Sequence, residues 1–164
     1  MKNLQVQTAM DTCKGELDSV VLLCNTLGGG THIASLYLTR YALIRACGAV
    51  ETAYKAIVAD FCARGAIQPV SRFIDLKVRL SSSNPSYANI CKLLSSFDER
   101  WARSFRTAIN ARADKDKLLT GLESLVESRN DFAHGGTPTI TLSDVVTYFG
   151  SARTLIEALD ASIQ

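Results

Sequence analysis

Tyr41-Ala42-Leu43-Ile44-Arg45-Ala46-Cys47-Gly48-Ala49-Val50-Glu51 forms the centre of the longest patterned run in this chain. Apolar residues extend it in both directions, from Leu36 and Leu38 through Leu43, Ile44, Cys47 and Val50 to Tyr54, Ile57, Val58 and Phe61. Steps of three and four residues put such positions on one side of an α-helix, whereas a strand requires alternation. The pattern predicts a helix from a capping residue near Thr31 to Arg64, just before Gly65. A helix of that length is unusual in a globular domain, and Gly48 is where it would break.

The flanking segments read the same way. Met10, Leu17, Val20, Val21, Cys24 and Leu27 predict a first helix over about 4–27, ended by Gly28-Gly29-Gly30. A short amphipathic piece is expected over about 70–80, followed by the polar loop Ser81-Ser82-Ser83-Asn84-Pro85. Ser86 can restart a helix that runs from Tyr87 to about Ile109, with Ile90, Leu93, Leu94, Phe97, Trp101, Phe105 and Ile109 facing inward. The next helix, about 114–134, carries Leu118, Leu119, Leu122, Leu125, Val126 and Phe132 and is closed by Gly135-Gly136. Thr137 to Leu142 is β-like in composition but short, and reads as a linker. Thr141 and Asp144 have the spacing of a capping box for a last helix reaching Ile163. The expectation is one domain over residues 1–164, an all-α up-down bundle of five to six helices.

Composition narrows the function. With 47% hydrophobic and 21% charged residues the chain is a folded protein with a real core. Its net charge of +2 does not by itself mark a nucleic-acid binder, so any RNA contact must come from local basic clusters or from an oligomer. Cys13, Cys24, Cys47, Cys62 and Cys91 are scattered, with no C-x-x-C pair and no histidine at ligand spacing. They read as buried reduced thiols rather than a metal site, and no metal or cofactor is expected. Neither a signal-peptide core near Met1 nor a membrane-spanning run is visible, so a cytoplasmic location is expected.

The densest chemistry lies in Arg129-Asn130-Asp131-Phe132-Ala133-His134. Asn130 and His134 are four residues apart and share a helix face; Arg129 is about 100° round from Asn130, with a side chain long enough to swing toward His134. A helix C-terminus favours a cationic imidazole, and Asp131 adds to that. A histidine that moves protons and an arginine that holds a phosphate suffice for metal-free RNA cleavage. Spacing alone favours a plainer reading, in which Arg129 caps carbonyls and His134 ends a helix.

Resemblance shifts that balance. Ser124-Leu125-Val126-Glu127-Ser128-Arg129-Asn130-Asp131-Phe132-Ala133-His134-Gly135 resembles the motif of HEPN domains: an Arg, a polar residue that is often Asn, three variable positions and a His near a helix end. The segment 41–51 resembles that family's long second helix, and the chain is most similar to stand-alone prokaryotic HEPN proteins linked to restriction and toxin systems. The resemblance implies a helical bundle that dimerises with both motifs facing one cleft, and metal-independent endoribonuclease activity in many members. It implies catalytic roles for Arg129 and His134, with Asn130 as a polar supporter. Some members have lost catalysis and serve as interaction modules. Another branch is controlled by modification of a tyrosine two residues after the histidine, a position held here by Gly136.

Other residues carry weaker readings. Glu51 either orients Arg129 or pairs with a local cation, Arg45 or Lys55. Arg100, Arg103 and Arg106, interleaved with Trp101 and Phe105, form either an RNA-backbone stripe or a solvated helix face. His32 reads as structural, and Gly28-Gly29-Gly30 lacks the Lys-Ser/Thr and the preceding strand of a phosphate loop. The expected activity is an endoribonuclease acting on RNA through a site shared by a homodimer. Its setting would be a toxin or anti-phage system, with an antitoxin or defence-system protein as partner and no membrane. The alternative is a non-catalytic helical interaction module.

Overall fold

The computed structural model of the protein describes residues 1–29 and 32–163. It is all-α: α1 (Leu4–Thr26), α2 (Ile33–Ala63), α3 (Gln68–Ile74) running into a π-helical turn over Asp75–Arg79, α4 (Tyr87–Phe97), α5 (Glu99–Asn110), α6 (Lys115–Ala133) and α7 (Leu142–Ser162). No strand occurs among the described residues, and Thr137 to Thr141 is an irregular linker. No helix is long and apolar enough to cross a membrane among those residues.

Polar contacts at the chain ends fix the topology. Lys2 and Asn3 donate backbone N–H groups to the buried carboxylate of Asp160 near the end of α7, and Asn3 Nδ2 donates to Asp60 Oδ2, 2.7 Å away, near the end of α2. The start of α1 therefore meets the ends of α2 and α7, so α1 runs antiparallel to both. Arg129, late on α6, reaches Glu51 in the middle of α2, while Phe132 at its end meets Arg40 near the start of α2. Thus α6 is antiparallel to α2 as well. Four helices make an up-down bundle whose core includes Met10, Leu17, Leu43, Val50, Leu122, Leu125, Leu155 and Ile156, all essentially inaccessible to water. The α4–α5 hairpin packs on α7, and α3 packs on the C-terminal half of α2 through Ala59, Ile74 and Val78.

The crossing of α6 and α7 is close because Gly121 has no side chain. A Cβ there would lie 2.9 Å from both Cβ and Oγ of the buried Ser151, too near for either atom.

Two features of the sequence pattern resolve differently. Seven α-helices form rather than five to six, because the run from Tyr87 to Ile109 divides at Asp98. That residue has extended backbone (φ −154°, ψ 118°), ends α4, and caps α5 by accepting from the Arg100 N–H. The division turns Phe97, expected inside, outward to 39% exposure. Conversely α2 does not break at Gly48: it is continuous for 31 residues, and the buried Cys47, Ala49 and Val50 around the glycine outweigh its cost of about 1 kcal/mol in a helix interior. Thr31, expected as the cap of α2, lies outside the described residues. The cap seen is His32, whose Nδ1 accepts from the Ala34 N–H at 3.1 Å, giving that histidine a structural role.

At the start of α7 the capping box is complete. Thr141 Oγ1 accepts from the Asp144 N–H at 3.1 Å, and Asp144 Oδ2 accepts from the Thr141 N–H at 3.0 Å. These bonds hold the Asp144 carboxyl below its ordinary pKa. Thr141→Ala is expected to lower stability by about 1 kcal/mol, measured as a smaller urea midpoint at unchanged m-value. No change in midpoint would mean the box contributes nothing to folding.

Candidate functional site

The last turn of α6 is built by local sequence. His134 is its C-cap, followed by Gly135 with φ +86°, a left-handed conformation that glycine adopts without strain. Gly136 N–H donates to the Asp131 carbonyl at 2.9 Å and Gly135 N–H to the Phe132 carbonyl at 3.1 Å. This paired closure is the Schellman arrangement. It stops the helix one residue past Ala133 and leaves the His134 side chain exposed to solvent.

Arg129, one and a half turns earlier, is held from two sides. Its Nη1 donates to Asn130 Oδ1 at 3.1 Å, and its Nη2 lies 3.6 Å from Glu51 Oε2 on α2. About a third of its side chain remains exposed. It donates to no backbone carbonyl among the described residues. Glu51 in turn pairs through Oε1 with Lys55 Nζ at 2.5 Å, and Lys55, 3% exposed, also donates to the Ser81 carbonyl. Glu51 therefore pairs locally with Lys55 and also reaches Arg129 across the bundle. Arg45 is engaged elsewhere, with Nη2 3.1 Å from Glu16 Oε1.

This arrangement has a physical logic. A buried ammonium is costly unless paired, and Glu51 supplies the countercharge. The same carboxylate has its second oxygen turned toward Arg129, so one acid serves both cations. Cys47 lies nearby on α2; burial pushes its thiol up to about 11, against the opposite pull of the Arg129 charge, so it stays protonated at neutral pH. Lys55 is expected from the sequence only as one of two local cations for Glu51, and its burial is not. The available signal was its position on the face that carries Glu51, four residues on, within an otherwise apolar run.

Arg129, Asn130 and Glu51 are thus brought together within one chain. The His134 side chain is exposed and makes no hydrogen bond or ion pair among the described residues. Asp131 is exposed and does not pair with it either; its carboxylate lies over Gly136, where any Cβ would fall 2.0 Å from Oδ1. Arg100, Arg103 and Arg106 are all exposed on α5. Arg100 is tied to Asp98, Nη2 to Oδ2 at 2.6 Å. Trp101 on that helix meets Phe61 near the end of α2, about 15 Å along the α2 axis from Glu51. Among the described residues no His, Cys, Asp and Glu side chains are grouped to hold a metal ion.

The family profile of RiboL-PSP-HEPN matches residues 16–164, nearly the whole helical bundle and all of the site. The chain belongs to this HEPN family. No curated protein and no solved structure matches it. HEPN domains as a group are known for ribonuclease activity, for dimerising and for binding RNA. In this HEPN chain Arg129, Asn130 and His134 lie at the end of α6, with Arg129 next to the middle of α2.

Proposed function

We propose that the protein is a metal-independent endoribonuclease that cuts RNA at a site shared across a homodimer. The observation that carries this reading is the held guanidinium of Arg129. Glu51 and Asn130 pair with it, yet it stays partly open to solvent, and His134, five residues on, is exposed and makes no hydrogen bond or ion pair among the described residues. A restrained, partly desolvated cation stabilises charge developing on a phosphate without reorganising during the reaction.

In the proposed step a ribose 2′-oxygen bonds to the adjacent phosphorus while the bond to the 5′-oxygen breaks. One histidine accepts the 2′-hydroxyl proton, and a second histidine protonates the departing 5′-oxygen. The products are a 2′,3′-cyclic phosphate and a 5′-hydroxyl. One chain has a single candidate histidine, so two are supplied by a twofold pair of His134 side chains. Arg129 neutralises the pentacoordinate phosphate and Asn130 holds Arg129 in place. Arg100, Arg103 and Arg106 would contact outlying phosphates. Restraint by an antitoxin or a defence-system partner is part of the same reading, since an unrestrained ribonuclease harms the cell that makes it.

The test is incubation of the purified protein with labelled mixed-sequence RNA in EDTA, beside Arg129→Ala and a 2′-deoxy substrate. Cutting of RNA alone, ending in a cyclic phosphate and reduced at least about 10²-fold by Arg129→Ala, is the expected result. Cutting of the 2′-deoxy strand would refute 2′-hydroxyl attack. Absence of cutting by a folded dimer would favour a non-catalytic interaction module.

A further inference from the structure

Tyr37, Arg40, Tyr41 and Ile44 follow one another at helical spacing on α2, on the side that also carries Glu51. Tyr37 is 63% and Tyr41 50% exposed, an unusual outlay of aromatic surface on one turn and a half of helix. Between them Arg40 is held by rings instead of by a carboxylate. Its guanidinium carbon lies 5.3 Å from the ring centroid of Phe132 and 5.9 Å from that of Tyr37. Phe132 is two residues before His134. Arg40 has no ion pair among the described residues, and its buried Nε has no hydrogen-bond acceptor.

We propose that Tyr37, Arg40 and Tyr41 form a nucleotide subsite beside the motif, in which Arg40 binds a phosphate flanking the scissile one and the tyrosines stack unpaired bases. The proposal rests on the ribonuclease reading and extends it to a part of α2 outside the motif. Ring faces orient an arginine without cancelling its charge, so the cation is presented ready for an anion. A single RNA strand offers both the anion and the flat apolar faces that exposed tyrosines match. A contact between two copies centred on this face would instead bring two unpaired guanidiniums together. Exposed aliphatic side chains better suited to such a contact occur at Leu22, Leu23, Ile33 and Leu36.

The experiment compares wild type with Arg40→Gln, Arg40→Lys and Tyr37→Leu, using a short unstructured RNA for kcat, KM and binding affinity at low and moderate salt. Oligomeric state is measured by sedimentation and folding by thermal unfolding. Arg40→Gln is expected to raise KM about tenfold with kcat little changed, and to reduce the slope of log affinity against log salt by about 0.7, one single-strand phosphate contact. Arg40→Lys should restore the slope, which guards against a merely misfolded variant. Tyr37→Leu should weaken binding about 5- to 100-fold without altering the salt slope. Unchanged KM and slope in a protein that still cleaves would overturn the subsite and leave the ribonuclease reading intact. Loss of the dimer in Arg40→Gln or Tyr37→Leu would overturn it in favour of a copy-to-copy contact. If wild type binds RNA but cleaves none, the ribonuclease reading fails and the affinities alone decide the subsite; wild-type RNA binding too weak to detect would overturn both.

Discussion

His134→Ala is expected to slow RNA cleavage by about 10²–10⁴-fold, the usual worth of a positioned acid or base, while leaving the melting temperature unchanged. The second half follows from exposure: the side chain is open to solvent and makes no hydrogen bond among the described residues, and the helix end is closed by backbone bonds through Gly135 and Gly136. A large loss of activity at constant stability therefore separates a chemical role from a structural one. Mixing sharpens the test. If both histidines of a twofold pair are needed, equal amounts of wild type and His134→Ala, allowed to exchange subunits, should retain about a quarter of the wild-type rate, the fraction of pairs with two intact copies. About half would mean that each chain works alone, and the shared site would have to be abandoned. A drop in melting temperature with no loss of rate would return His134 to a helix-ending role.

Most of the bundle is legible in the sequence because burial and periodicity coincide. Most stripe residues on α1, α2, α6 and α7 lie in the core, although Leu27, Leu36 and Ile44 are exposed, and the Thr141–Asp144 box marks the start of α7 at its actual residue. Reading fails where a local polar residue competes with a continuous stripe. Ile90, Leu94, Trp101, Phe105 and Ile109 keep helical spacing straight across Asp98, so periodicity alone joins α4 to α5. The signal for the division is Asp98 followed by Glu99, a capping residue with an acid in the first turn. The site divides in the same manner. Arg129, Asn130 and His134 are visible by their spacing, but spacing gives no distances, and the contact of Arg129 with Glu51 comes only from the packing of α6 on α2. Arg40 escapes notice because its partners, Tyr37 on the same helix and Phe132 on another, are related only through the packing of α6 on α2.

The line Lys55–Glu51–Arg129 makes separable demands on stability and on activity. Glu51→Gln removes the countercharge from an ammonium that is 3% exposed and leaves it only neutral partners, among them the Ser81 carbonyl and the Tyr54 ring, so a loss of about 3 kcal/mol is expected. Lys55→Met should cost less, because Glu51 keeps Arg129 and some contact with solvent. The double variant Glu51→Gln/Lys55→Met carries no unpaired buried charge and is expected to unfold within about 1 kcal/mol of wild type, since replacing a whole buried pair is close to neutral. Cleavage should not recover with stability. Without the carboxylate, Arg129 loses the partner that fixes its direction from α2, and misplacement of about 1 Å at a reacting phosphate costs on the order of 10²-fold. Chemical unfolding and single-turnover cleavage on all three variants measure the two quantities independently. Recovery of both in the double variant would reduce Glu51 to a partner for Lys55; recovery of stability alone would make it the residue through which α2 positions the catalytic arginine.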